Sequence, residues 1–192
     1  MYLEQYNEAI DYCNKAIQYP EENKIFQMDA YILLSHIYII IGNTKKAEET
    51  LIKLTHNYPE DPYALQFFGR FYYKYGNNTT DIDKAIHTFN ECIRISWEQF
   101  GRVNEISDIV KYLVSAGDFV RSHAILQNTK AIVTSNNEAS GIVYYFDAQI
   151  YALEGNNTEA RKTAEQAQYY FKEANNPEAL KELRNFLESI GQ

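Results

Sequence analysis

Apolar residues recur along nearly the whole chain at intervals of three and four, the pattern of helices with one buried stripe. Short polar breaks interrupt it at Gly42-Asn43, Gly76-Asn77, Gly117-Asp118 and Gly155-Asn156. Each break ends one apolar-periodic stretch and opens the next. Glycine accepts the left-handed conformation that closes a helix, and the Asn or Asp behind it caps the following one. The spacing predicts helices near 2–19, 25–41, 44–57, 62–75, 81–97, 101–116, 119–132, 138–154, 157–175 and 177–190. The last opens on Asn176-Pro177-Glu178, a cap, a first-turn proline and an acid at the positive helix end. Its Leu180, Leu183, Phe186, Leu187 and Ile190 form one apolar stripe with charges opposite.

Counting back from each break glycine exposes a repeat. Four residues before stand Tyr38, Tyr72, Leu113 and Tyr151; seven before, Ser35, Gly69, Val110 and Ala148; eleven before, Tyr31, Leu65, Ile106 and Tyr144. A small residue in the second helix recurs at Ala9, Ala47, Ala85, Ser122 and Ala160, in steps of 38, 38, 37 and 38. Small residues at fixed slots are what two closely touching helices require.

On these residues the chain resembles the tetratricopeptide repeat family. Tyr31, Leu34, Ser35, Tyr38, Ala47, Leu51, Leu54 and Pro59 carry the clearest match. Leu65, Phe68, Gly69, Tyr72, Ala85, Phe89 and Cys92 follow closely, then Tyr144, Ala148, Tyr151, Ala160, Ala164 and Ala167. The resemblance covers nearly the whole chain, with departures: the step exceeds the usual ~34 residues, and Asp147 stands where an apolar residue is expected. It implies an all-α, right-handed helical solenoid of antiparallel helix pairs with a C-terminal capping helix. Residues 1–192 would be a single array: a partial repeat at 1–24, repeats at about 25–61, 62–100, 101–137 and 138–176, and the cap at 177–190.

In that architecture the first helix of each pair lines the concave face. The residues this places there for a protein or peptide partner are His36, Gln66, Arg70, Tyr73, Lys111, Tyr145 and Gln149. Arg70 and Lys111 occupy equivalent slots in neighbouring repeats, a spacing suited to an acidic side chain or carboxylate. Family members that grip a chaperone's terminal carboxylate carry a Lys and Asn pair where this chain has Ile32 and His36, then Gln66 and Arg70, so that clamp is not expected.

Composition narrows the function further. Acids outnumber bases 26 to 18, for a formal charge of −8, which argues against direct nucleic-acid binding. No apolar run approaches the ~20 residues of a membrane span, and the amino terminus lacks a secretory pattern. Cys13 and Cys92 both fall on apolar helix faces, which favours a reduced, cytoplasmic setting. His36, His56, His87 and His123 lie far apart in the repeat, so no metal is expected, and no cofactor loop or nucleophile with a placed base occurs. Glu21-Glu22 and Glu48-Glu49 read as solvated pairs, and an enzyme is not expected.

The leading expectation is therefore a non-catalytic interaction scaffold that binds a peptide or partner segment in its concave groove. An alternative is the sensor or dimerisation segment of a larger regulatory protein, since bacterial peptide-pheromone receptors use repeats of similar length. A third is a structural subunit docking through residues 2–19. That helix reads as the second of a pair with no first, so its open end calls for an upstream domain, a second copy or a partner to cover it.

Overall fold

A computed structural model describes residues 2–18 and 24–191, with the side chains of residues 2–4 excluded. The expectation placed on Glu21-Glu22 lies outside what is described. Ten α-helices and no strand occur among the described residues: α1 (Tyr2–Gln18), α2 (Lys24–Ile40), α3 (Thr44–Asn57), α4 (Pro62–Tyr75), α5 (Thr79–Phe100), α6 (Asn104–Ser115), α7 (Phe119–Ile132), α8 (Asn137–Leu153), α9 (Asn157–Glu173) and α10 (Pro177–Ser189). The chain divides into two compact units, Met1–Cys92 and Ile93–Gln192.

Three of the glycine breaks are built alike. Gly42, Gly117 and Gly155 have φ of 78°, 75° and 78°. The next residue donates its backbone N–H to a carbonyl five residues back: Asn43 to Tyr38 at 2.7 Å, Asp118 to Leu113 at 3.0 Å, Asn156 to Tyr151 at 2.8 Å. The side-chain oxygen of the same residue accepts from the N–H three residues on: Lys46, Arg121 and Glu159. One residue thus closes one helix and starts the next, which fixes a short turn between antiparallel neighbours. Asn175, with φ of 52°, takes the glycine's place before Asn176 and α10.

Gly76 breaks the pattern. Its φ is −63° and ψ 143°, extended rather than left-handed. The turn here is longer: Asp81 accepts from the Asn77 N–H, and Asn78 accepts from the Asp81 N–H. Gly76 is needed for space, because an added Cβ would lie 2.4 Å from both the Tyr72 carbonyl oxygen and the Asp81 Cβ. The left-handed turn that closes a helix appears instead at Gly101, with φ of 62°. α5 consequently runs on to Phe100, and α6 begins at Asn104, three residues later than the sequence pattern predicts.

In the first unit, Met28, Tyr31, Leu51, Leu54, Ala64, Phe71 and Tyr72 make the main core. Cys13, Leu34 and Ile37 hold α1 against α2. The small slots behave as their spacing requires: Ala47 and Ala85 are fully buried, and Gly69 lies under the Phe89 ring. The Tyr72 hydroxyl donates to Glu48 at 2.5 Å and accepts from Lys84 at 2.7 Å, tying α4 to α3 and α5. Burial, reinforced by that carboxylate, pushes the Tyr72 hydroxyl far above the ordinary tyrosine range.

The second unit repeats the scheme. Ile106, Val110, Leu113, Ser122, Ala148 and Ala160 are buried at the corresponding slots. Ala148, Ala164, Ala167, Phe171 and Leu183 form a core that Leu180, Phe186 and Leu187 of α10 cover, which is how a terminal helix closes a repeat array.

Candidate partner-binding face

α2 and α4 are first helices of their pairs, and among the described residues of the first unit both carry exposed apolar side chains. The lysine-to-isoleucine run of α2 is apolar nearly all round, so it buries one row in the core and leaves another outside. That outer row is Phe26, Leu33 and Ile40, at 65%, 53% and 63% exposure, with exposed Asp29 and His36 between them. On α4, Tyr63 is 47% exposed and meets the Phe67 ring edge-on at 4.9 Å. The His36 ring lies 5.9 Å from the half-buried Phe67 ring, so the outer row of α2 meets the Tyr63–Phe67 pair of α4 at that point. Scattered apolar residues on a surface are ordinary, but a contiguous set rimmed by polar groups marks an interaction site.

The seven residues that sequence reasoning placed on the partner face have different surroundings. His36 is exposed on that face, and Arg70 and Tyr73 on α4 are half-buried. Gln66 is only 6% exposed, so its side chain is not presented to solvent, and its Nε2 has no hydrogen-bond partner among the described residues. Of the residues in the second unit, Lys111 on α6 is exposed. Tyr145 on α8 packs against Phe186 at 5.6 Å and Phe171 at 6.4 Å, so much of its ring serves the capping-helix core. Burial, with Glu182 nearby, raises the Tyr145 hydroxyl above its usual range, while a hydrogen bond from half-buried Gln149 opposes that shift.

Sequence reasoning missed Phe26, Leu33, Ile40 and Tyr63. In α2 the signal was the seven-residue spacing of Phe26, Leu33 and Ile40 outside the core rows. It is hard to see in α2 because the core rows beside it are apolar too.

Two other places hold clustered polar groups. A cleft of about 370 Å³ beside α1, α2 and α3 is lined by Asn14, Tyr38, Lys46, Glu49 and Lys53 among others. Its lining carries one carboxylate, Glu49, and two ammonium groups, Lys46 and Lys53. In the second unit, Asp147 on α8 is 1% exposed and takes both the His123 Nδ1 at 2.5 Å and the Lys130 ammonium. His123 also reaches Glu154 at 2.9 Å and lies 4.2 Å from the Tyr151 ring, while Lys130 sits 4.3 Å from the Tyr144 ring. Both carboxylate oxygens of Asp147 are engaged within the cluster, which makes it a clamp between α7 and α8. Among the described residues no group of three or more His, Cys, Asp or Glu could hold a metal, and no helix is long and apolar enough to cross a membrane.

The paired helices and recurring small slots have a counterpart in a known family, whose sequence model matches residues 5–186. The chain belongs to the Iml2/Tetratricopeptide repeat protein 39 family. Solved structures similar to it include MamA MSR-1 C2, at 16% identity and a TM-score of 0.41, covering 90% of each chain. TTC0263, a thermophilic TPR protein of Thermus thermophilus, is similar at 16% identity and a TM-score of 0.45, covering 98% of this chain and 91% of its own. BtubC from P. vanneervenii is similar at 16% identity and a TM-score of 0.47, covering 89% and 72%. No curated protein sequence is significantly similar to this one. For a member of the Iml2/Tetratricopeptide repeat protein 39 family, the repeat fold points to a protein-interaction scaffold with protein partners.

Proposed function

We propose that this chain is a non-catalytic scaffold that binds a peptide or partner segment on the first-helix side of its repeats. The observation that carries the reading is the exposed surface of Phe26, Leu33, Ile40 and Tyr63, with half-buried Phe67 meeting Tyr63 and His36 beside it on α2 and α4. Such a surface is unfavourable to leave wet, since each square ångström of apolar area covered contributes roughly 25 cal/mol. Rigid aromatic and aliphatic anchors lose little entropy when immobilised, as binding hot spots do. Of the residues suggested by repeat position, His36, Arg70 and Tyr73 stay candidates for polar contacts on this side of the first unit, and Lys111 is a separate candidate on the first helix of a pair in the second unit. Gln66, Tyr145 and Gln149 are assigned secondary parts because burial or internal packing already engages them. The partner segment is therefore expected to be apolar at its centre, with acidic groups at its edge.

The test is capture of partners from lysate of the source cells by wild type and by two variants with verified helical circular dichroism. Leu33→Asp with Tyr63→Asp should lose the specific partner, and Arg70→Glu with Lys111→Glu should weaken its capture. Retention of the same partners by both variants would place binding elsewhere.

A further inference from the structure

The outer row of α2 reads Phe26, Asp29, Leu33, His36, Ile40, with alternating steps of three and four. That spacing keeps all five on one stripe of a helix, the seam pattern of paired helices. All five are exposed, and neither Asp29 nor His36 forms an ion pair among the described residues. The stripe is also symmetric in chemistry about its middle. Leu33 lies midway between Phe26 and Ile40, and the acid and the imidazole flank it on opposite sides.

We infer that a second copy of this chain docks on this stripe, with the two α2 helices antiparallel about a two-fold axis at Leu33. Such an axis makes an isologous contact, in which each residue meets the partner of its own mirror position. Leu33 then meets Leu33 of the other copy, and each Phe26 meets an Ile40. Asp29 lies four residues before the axis and His36 three after it. At about 1.5 Å of rise per residue, Asp29 of one copy arrives within a single residue's rise of His36 of the other. The imidazole donates a hydrogen bond to the carboxylate, and the contact is made twice. A parallel pairing sets Asp29 against Asp29 and loses both contacts, so the charges select the antiparallel arrangement. This inference goes beyond the scaffold reading and does not depend on it. A second copy and an outside segment compete for the same stripe, so self-association would keep the scaffold closed until a partner displaces it.

Sedimentation equilibrium of the full chain over a wide dilution series tests this. Wild type should show a monomer–dimer equilibrium, and Leu33→Asp should weaken the association at least about tenfold, a change of ~1.4 kcal/mol. Asp29→Arg sets Arg against His, and His36→Glu sets Asp against Glu, so each variant alone should associate more weakly than wild type. Mixed together, these two should dimerise again. The introduced arginine of one variant then faces the introduced glutamate of the other, while the native pair re-forms across the axis. The three substituted positions are solvent-facing, and circular dichroism checks that each variant stays helical. A wild type that stays monomeric throughout would overturn the inference. So would a dimer indifferent to Leu33→Asp, or a mixture no stronger than its separate components. Loss of an outside partner in a capture experiment would bear on the scaffold reading alone.

Discussion

Gly69 and Gly141 each face a phenylalanine ring across a helix pair, with no room for a methyl group. A Cβ at Gly69 would lie 2.6 Å from Phe89 Cε1, and one at Gly141 2.5 Å from Phe171 Cδ1. In an exposed helix, Gly→Ala stabilises by up to about 1 kcal/mol. Here overpacking should outweigh that gain, since forcing extra carbon into a close-packed core costs about 1–3 kcal/mol. Gly69→Ala and Gly141→Ala are each expected to lower stability by roughly 1 kcal/mol or more in urea unfolding. Adding Phe89→Leu to Gly69→Ala should recover part of the loss by making space for the methyl group. A Gly→Ala variant as stable as wild type would show that the rings yield freely. Gly69 was legible from its repeat slot, whereas Gly141 lies about two turns before Ala148 in α8, outside any slot the register singles out. Gly76 was legible as a break but not in its conformation. Its role comes from the approach of Asp81 and the Tyr72 carbonyl, contacts that repeat alignment does not carry.

Asp147 marks where the repeat pattern departs from apolar character, and the α7–α8 contact explains it. The carboxylate is buried and held by His123 and by Lys130, which reach it from another helix. Removing one member of a buried charge set leaves the others unpaired and typically costs about 3–5 kcal/mol. Asp147→Ala should therefore destabilise by an amount near the lower end of that range, tempered by the partial exposure of His123. The comparison is with Asp147→Leu, His123→Leu and Lys130→Met together, which should recover most of the loss by replacing the whole set with apolar groups. Thermal unfolding of the two variants side by side decides this, and equal loss in both would mean that the cluster does not act as a unit. The sequence showed Asp147 as an anomaly without its partners, because they lie 24 and 17 positions away and pair only when α7 and α8 pack. α2 presents the converse case. Its buried rows were legible, but a helix apolar on several sides does not announce which apolar row stays outside. Only the placement of α3 and α4 decides that Ile32 is covered and Leu33 is not.

For the chain as a whole, repeat period and turn chemistry made the helix order readable from end to end. The turns and helix starts depend on local signals such as Asn, Asp, Gly and Pro, so the observed boundaries fall within a few residues of the expected ones. The binding side was less legible. Of the residues that repeat position named, His36 and Lys111 are exposed, Arg70, Tyr73, Tyr145 and Gln149 are half-buried, and Gln66 is buried. The central claim is that the α2–α4 side of the first unit is where another protein docks. The most direct measurement is site-specific photo-crosslinking in the source cells, with a photoreactive phenylalanine at Leu33 or Tyr63, and at Lys53 and Glu165 as exposed second-helix controls. The account predicts that positions 33 and 63 trap a protein, whether a partner or a second copy, and that positions 53 and 165 do not. Equal crosslinking at all four positions, or capture only at the second-helix controls, would contradict it.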